Sequence, residues 1–324
     1  MKKLTLICAN QDSGIYIKQS IKTFLSQDYN SFNIYIMDSN SKDNSKEIIN
    51  SFNSNIIKIF HLDRDVDGPN AVLLGIQNAS SDYIAFMTST DGYVDNQWYG
   101  NAIKLLDSDE NLSYVYSNSL NRDLNENISK VNQPFYSKFE IPSHEYFLPF
   151  YMATRYHINE LNCIWSTPVI KSLINHEYFK KDKEIDIMEK FEFLAVYEGF
   201  MGKHINTFSN YGRIHANSLT ERNLDKSFFV NSWRSRMDSL LNAKLSNFEF
   251  KNRNFKIISR YNKKLSFYFK ISYYFYKLFY PHLKKRKSLF SLYFYFEKIF
   301  NLTHKILNFL YSIFKLKFFS EKKL

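Results

Sequence analysis

FNIYIMDSNSKDNSKEII (residues 32–49) and IIKIFHLDRDVDGPNAVLLGIQNASSDYIAFMTSTDGY (residues 56–93) carry the pattern that decides the fold. Three apolar runs, at 34–37, 56–62 and 83–87, each stop at a polar loop, and an amphipathic stretch follows each of the first two. Strand-length runs alternating with helical segments predict βαβαβ, a parallel sheet wrapped by helices. In such sheets ligands lie outside the carboxyl ends of the strands. Those ends here carry Asp38-Ser39-Asn40-Ser41 and Thr88-Ser89-Thr90-Asp91, short polar side chains where an apolar strand has just stopped.

The same alternation extends to both sides. Residues 4–9 predict a first strand, and 15–27 a helix with apolar residues at 15, 17, 21, 24 and 25. A short helix is expected over 45–52, capped by Asp43 or Ser45. Another is expected over 71–79, entered through a Gly68-Pro69 turn. A helix over 96–106 and a strand over 113–116 follow. Residues 122–160 are less regular, with Pro134, Pro142 and Pro149 among many aromatics. A helix over 185–200 and a closing strand over 204–214 complete this part, and the chain changes character near 220–230. No internal repeat is visible.

Composition narrows the class. Among 324 residues the chain has only 8 Gly and 6 Pro, which excludes fibrous and low-complexity proteins. Aromatic content is 18%, and heavy use of Asn, Lys, Ile and Phe is what an A+T-rich genome produces. Two cysteines, Cys8 and Cys163, cannot build a disulfide framework, and they point to a reducing compartment. The apolar run near the N-terminus covers only 4–9, short of the roughly 7–15 residues of a secretory segment, so a cytoplasmic strand is expected there.

Charge is divided along the chain. Residues 1–225 hold 21 Lys and Arg against 28 Asp and Glu, a net of −7. Residues 226–324 hold 22 against 4, a net of +18. In that extension Ile299, Leu302, Ile306, Phe309, Leu310, Ile313 and Leu316 form one helical stripe, with Lys298, Lys305 and Lys315 off it. Its longest charge-free apolar run, 306–314, is far short of the ~20 residues that a membrane span requires. Helices of this kind lie in the headgroup plane of an anionic membrane, and that contact is the expectation. A bundle packed on the first domain is the plain alternative. Lysines among aromatics also suit single-stranded nucleic acid, but no fold for that task is present, and no nucleic-acid partner is expected.

Order and spacing over residues 1–220 resemble the inverting family-2 glycosyltransferases of the GT-A fold. Where that family has VVDDGSTDxT, this chain has IMDSNSKDNS and keeps Asp38, Ser41 and Asp43. The stretch from Asp65 to Gly75 resembles a DxGxYDAxNxG segment, with Asn70 in an acid's place, Gly68 for a special backbone conformation or close approach, and Gly75 as the closing glycine. Thr88-Ser89-Thr90-Asp91 stands where the family has Asp-x-Asp-Asp. Tyr211-Gly212-Arg213-Ile214-His215-Ala216-Asn217-Ser218 is similar to the YRxHxxSxS that closes the domain.

The resemblance implies an α/β GT-A domain over 1–225, with a nucleotide-sugar half at 1–120 and an acceptor half at 121–225, plus a helical basic extension at 226–324. It implies nucleotide-sugar contacts from Ala9, Asn10, Asp38, Asp67, Asn70, Ser89, Asp91 and Arg213. Asp38 would accept from the nucleobase; its plainer reading is an Asx-turn. The family's acids hold a divalent cation against the leaving diphosphate, but Thr88 and Thr90 carry no charge. Three readings stay open: Mg²⁺ or Mn²⁺ held by Asp91 with His215, the diphosphate charge met by Lys, Arg and helix N-termini, or weak or absent catalysis.

An inverting transferase also needs a carboxylate base. Glu189 is the candidate, in a segment where alignment puts Lys190 at the base position; an exposed acid in a helix's first turns is its plainer reading. The expected activity is transfer of a sugar to a hydroxyl of a surface glycan or glycolipid, at the inner face of the cell membrane. The rival expectation is a non-catalytic nucleotide-sugar or glycan-binding domain of a glycan-assembly complex.

Overall fold

The computed structural model describes residues 2–63, 66–123, 125, 127–132, 162–176, 179, 190, 191, 194, 195, 198 and 200–214. The predicted alternation is present. Strand β1 (Leu4–Asn10) leads into α1 (Gly14–Leu25), β2 (Phe32–Asp38) into α2 (Ser45–Ser51), and β3 (Ile57–His61) into α3 (Gly68–Asn78). Then follow β4 (Tyr83–Thr88), β5 (Gly92–Tyr93), α4 (Trp98–Ser108), β6 (Leu112–Arg122), β7 (Ile128–Asn132), β8 (Cys163–Ser166), α5 (Thr167–Asn175) and β9 (Met201–Arg213).

The strands make one mixed sheet in the order β3-β2-β1-β4-β8-β6-β9-β5, with β7 pairing the distal part of β6. β1 runs parallel to both β2 and β4, so Asn10 sits opposite Asp38 and Ala9 opposite Thr88. That register gathers three carboxyl ends on one edge. β8 is antiparallel to β4 and β6 on its two sides, whereas β6 and β9 are parallel. β1 is buried along most of its length because helices cover both faces, the pattern of a central parallel strand. Ile17, Ile21 and Phe24 of α1 and Trp98, Tyr99, Ala102 and Ile103 of α4 pack with Leu4, Leu6, Cys8, Ile34 and Ile36 in one core.

Several expectations are corrected. α3 begins at Gly68 itself, with Pro69 in its first turn and Asp67 as N-cap. Gly68 serves no close approach: a Cβ there would meet nothing within 4 Å. The close approach is at Gly75, where a Cβ would lie 2.5 Å from Ile7 Cγ2, so α3 rests directly on β1. The expected strand 113–116 is eleven residues long. Its continuation, Ser117-Asn118-Ser119, has the composition of a loop yet is completely buried. Ser117 bonds Ser209 at 2.5 Å, and Asn118 Nδ2 donates to Asn206 Oδ1 at 3.1 Å, so partners on β9 take up Ser117 and Asn118, while the Ser119 hydroxyl is buried without one. β8 and α5 had no prediction. Both cysteines are buried and neither is in a disulfide, and burial pushes the Cys8 thiol up. The extension at 226–324 and most of the predicted helix 185–200 lie outside the described residues.

Candidate active site

Two loops close over the carboxyl ends of β1 and β2. Asp12 and Asn40 both have φ of 49°, the left-handed region that short Asx side chains tolerate best. Asp12 Oδ1 accepts from the Lys42 N–H at 2.7 Å, and Ser41 Oγ accepts from the Asp12 N–H at 3.0 Å. The loops are thus stitched to each other. Asp43 joins the starts of two helices: Oδ2 accepts from the Gly14 N–H at 2.7 Å and Oδ1 from the Ser45 N–H at 3.0 Å. The N-cap position of α2 is Asn44, which makes no side-chain cap bond, so Asp43, one residue before it, takes first-turn N–H groups of both α1 and α2. Burial raises the Asp43 carboxyl, but these bonds and the Ser45 hydroxyl outweigh it and hold the group below its ordinary range.

Asp38 is completely buried at the end of β2. Its Oδ1 accepts from Asn10 Nδ2 at 2.7 Å and from Ser41 Oγ at 2.5 Å. Its Oδ2 accepts from the Ser41 N–H at 3.2 Å, the Asx-type turn, with Lys46 Nζ at 3.6 Å. Asn10 Oδ1, also buried, has no hydrogen-bond partner. Ala9 contributes its carbonyl, which accepts from the Ser89 N–H at 3.2 Å. Ser89 itself turns inward and donates to Ser13 Oγ at 2.7 Å. Asp67 caps α3 by accepting from the Asn70 N–H at 2.8 Å, and both residues are exposed. The segment before them is drawn toward β2 by Ser39 Oγ, which donates to the Val66 carbonyl at 2.6 Å.

At the end of β4 the two threonines are the partners of the acid. Thr88 Oγ1 donates to Asp91 Oδ2 at 2.7 Å, and Thr90 Oγ1 to Oδ1 at 3.2 Å. Oδ1 also accepts from the Arg213 N–H at 2.8 Å, which fastens the end of β9 to this turn. Burial raises the Asp91 carboxyl, and the three donors oppose that shift without cancelling it. The Arg213 guanidinium folds back over the same turn: Nε donates to the Thr90 carbonyl at 3.1 Å and Nη2 to Gln19 Oε1 at 2.8 Å. It lies 5.3 Å from the Tyr16 ring centre and 5.5 Å from that of Tyr211.

The structure therefore brings Asn10 to Asp38, Ala9 to Ser89 and Asp91 to Arg213. It sets Asp67 and Asn70 apart on the first turn of α3. Glu189 and His215 lie outside the described residues. Lys190 is buried, and its ammonium donates to the Phe179 carbonyl at 3.2 Å, 5.2 Å from that ring's centre. Gln19, Tyr16, Ser13 and Lys46 were missed because each reads as part of an ordinary helix face or start. No three His, Cys, Asp or Glu side chains converge among the described residues. A hard divalent cation takes about six oxygen ligands, and among the described residues the two acids at the strand ends, Asp38 and Asp91, already accept hydrogen bonds on both carboxylate oxygens, a poor fit to such an ion.

Residues 6–161 match the model of glycosyl transferase family 2. These residues are a family-2 glycosyltransferase domain. Among solved structures, TarS of S. aureus in complex with UDP-GlcNAc aligns over 81% of this chain and 71% of that one, with 15% identity and a TM-score of 0.61. Against a longer TarS structure the chain spans 43% of that protein. The mannosyltransferase PcManGT from Pyrobaculum calidifontis, solved with GDP-Man and Mn²⁺, aligns over 85% of this chain and 87% of that one, with 10% identity and a TM-score of 0.50. At such identities the likeness is one of fold. The glycosyltransferase domain is GT-A in type, and nucleotide sugars are the donors of its family.

Proposed function

We propose that this glycosyltransferase moves a sugar from a nucleoside-diphosphate donor to a hydroxyl of a surface glycan or glycolipid, with inversion, at the inner face of the cell membrane. The observation that carries this reading is the edge where β1, β2 and β4 end. It gathers Asn10, Asp38, Thr88, Asp91 and Arg213 in a family-2 domain, with an orphaned Asn10 oxygen and a guanidinium among them. In the reaction the acceptor oxygen bonds to the anomeric carbon from the face opposite the diphosphate. The bond to the diphosphate oxygen breaks with its electron pair on that oxygen. The acceptor proton passes to a carboxylate, which we assign to Glu189. Lys190 is occupied with Phe179, and that contact supports giving the role to its neighbour.

The test is release of nucleoside diphosphate by the full-length protein from UDP-, GDP- and CDP-linked sugars, with membrane extract as acceptor source. Turnover with one donor, lost in Glu189→Gln while nucleotide binding persists, supports the assignment. Tight binding of a nucleotide sugar without turnover would establish the rival, a binding domain.

A further inference from the structure

We infer that this site works without a divalent cation: Asp91 is a positioning residue that fastens the end of β9, and the Arg213 guanidinium supplies the positive charge opposite the donor diphosphate. The inference rests on the reading of the protein as a nucleotide-sugar transferase and goes further, to how the leaving group's charge is met.

The first argument is the state of the carboxylate. Each Asp91 oxygen already accepts a hydrogen bond from the turn or from β9, and the residue is only 6% exposed. A cation at this point would have to displace the Arg213 N–H or a threonine hydroxyl. It would gain one charge where the family's motif offers several. Asp38, the other acid at the strand ends, is held by Asn10, Ser41 and Lys46. His215 alone would not make up the deficit, because Mg²⁺ and Mn²⁺ sites are built mainly from carboxylate and water oxygens.

The second argument is where the guanidinium is held. Gln19 and Tyr16 of α1, Tyr211 of β9 and the Thr90 carbonyl fix Arg213 beside the carboxyl end of β4, the place of the family's acids. Arginine stays charged at any physiological pH, so Arg213, buried and with Nε and Nη2 engaged by the protein, acts as a fixed positive charge rather than as a two-toothed clasp. When the anomeric bond breaks, the electron pair goes to the terminal diphosphate oxygen. A fixed guanidinium there stabilises that charge without reorganising. Asp91 contributes through backbone geometry, because its contact is with the Arg213 N–H.

The experiment measures Mn²⁺ binding to the full-length protein by loss of the free-ion electron paramagnetic resonance signal. It also measures UDP, GDP and CDP affinity by calorimetry with and without EDTA. Expected are no protein-dependent loss of Mn²⁺ signal below millimolar ion and a diphosphate affinity that EDTA leaves within about twofold. Arg213→Lys should weaken UDP binding about tenfold while leaving uridine binding unchanged. Asp91→Ala should weaken UDP binding, and Asp91→Asn, which keeps an acceptor for the Arg213 N–H, should recover most of it in EDTA. Micromolar Mn²⁺ binding that Asp91→Asn abolishes would overturn the inference whatever the variants do. So would turnover that EDTA removes and micromolar Mn²⁺ restores, which leaves the transferase reading intact. Absence of binding to UDP, GDP and CDP alike would overturn both.

Discussion

The Asp38 carboxylate holds the ends of β1 and β2 together from inside the protein. Truncating it strands the Ser41 hydroxyl proton and the Ser41 N–H in a buried place and leaves the Asn10 amide only its bond to Ser41 Oγ. An unsatisfied buried donor costs about 1–3 kcal/mol. Asp38→Ala should therefore lower the melting temperature by several degrees as well as weaken UDP or GDP binding, read by calorimetry on the same samples. An unchanged melting temperature would show that these donors find water. Thr88→Val should act in the same direction more mildly, because Asp91 Oδ2 loses its hydroxyl donor while Oδ1 keeps the Arg213 N–H. Loss of one such bond is worth about 1 kcal/mol. From the sequence, Asp38 and Asp91 could be singled out by their place after strands. Their partners could not, since Thr88 and Thr90 read as missing acids until the turn folded them onto Asp91.

Two glycines in one helix separate propensity from packing. Alanine is favoured over glycine by roughly 1 kcal/mol in a helix interior. Gly68 is the first residue of α3, where that gain is small, and the Pro69 ring disfavours a helical conformation for a preceding residue with a Cβ; with open space around it otherwise, Gly68→Ala should be near neutral. At Gly75 the added carbon meets Ile7 Cγ2, and Ile7 is a buried, β-branched residue with little freedom to turn aside. Overpacking of this kind costs about 1–3 kcal/mol, so Gly75→Ala should be net destabilising. Urea denaturation of both variants checks the contrast; equal shifts would contradict it. On β9, burial lowers the His204 imidazole to about 4, and its Nε2 lies 2.9 Å from Asn118 Oδ1. Between pH 6.5 and about 4 the unfolded chain takes up a proton that the folded imidazole refuses, so stability falls through that window. The loss is on the order of 3 kcal/mol at its acid end. His204→Gln should remove this acid dependence, measured by denaturation at pH 7 and pH 4.5. The strand bearing His204 was legible from its alternation. The partner strand β6 was half legible, because its buried Ser117 and Asn118 find their partners on β9, a pairing that composition cannot display.

Across the whole molecule, the first half of the sheet was readable because parallel strands buried on both faces appear as continuous apolar runs. In the second half β9 and part of β6 were readable, but β5, β7 and β8 were not, because these strands are short and β5 and β8 pair over long stretches of sequence. The basic extension is a matter of sequence alone, and its membrane role is a proposal. With a net charge of +18 over 226–324, the full-length protein should sediment with anionic vesicles at low salt and come off partly as salt rises. Each Lys or Arg near the surface is worth about 1 kcal/mol, while the apolar stripe is unscreened. Failure to sediment at low salt would assign the extension to a packed bundle. Among the described residues no helix is long and apolar enough to cross a membrane. The position of β8 bears on how the chain is made. Strands β1 to β4 can pair as soon as residue 88 has emerged, since their partners lie close in sequence. The other side of β4 waits for Ile164, Trp165 and Ser166. Until then a ribosome-bound chain presents an open strand edge, a template for pairing with other chains. Slow closure over that distance is the expected bottleneck of folding. Nascent chains halted near residue 122 should therefore need chaperone protection that chains extended beyond residue 214 do not.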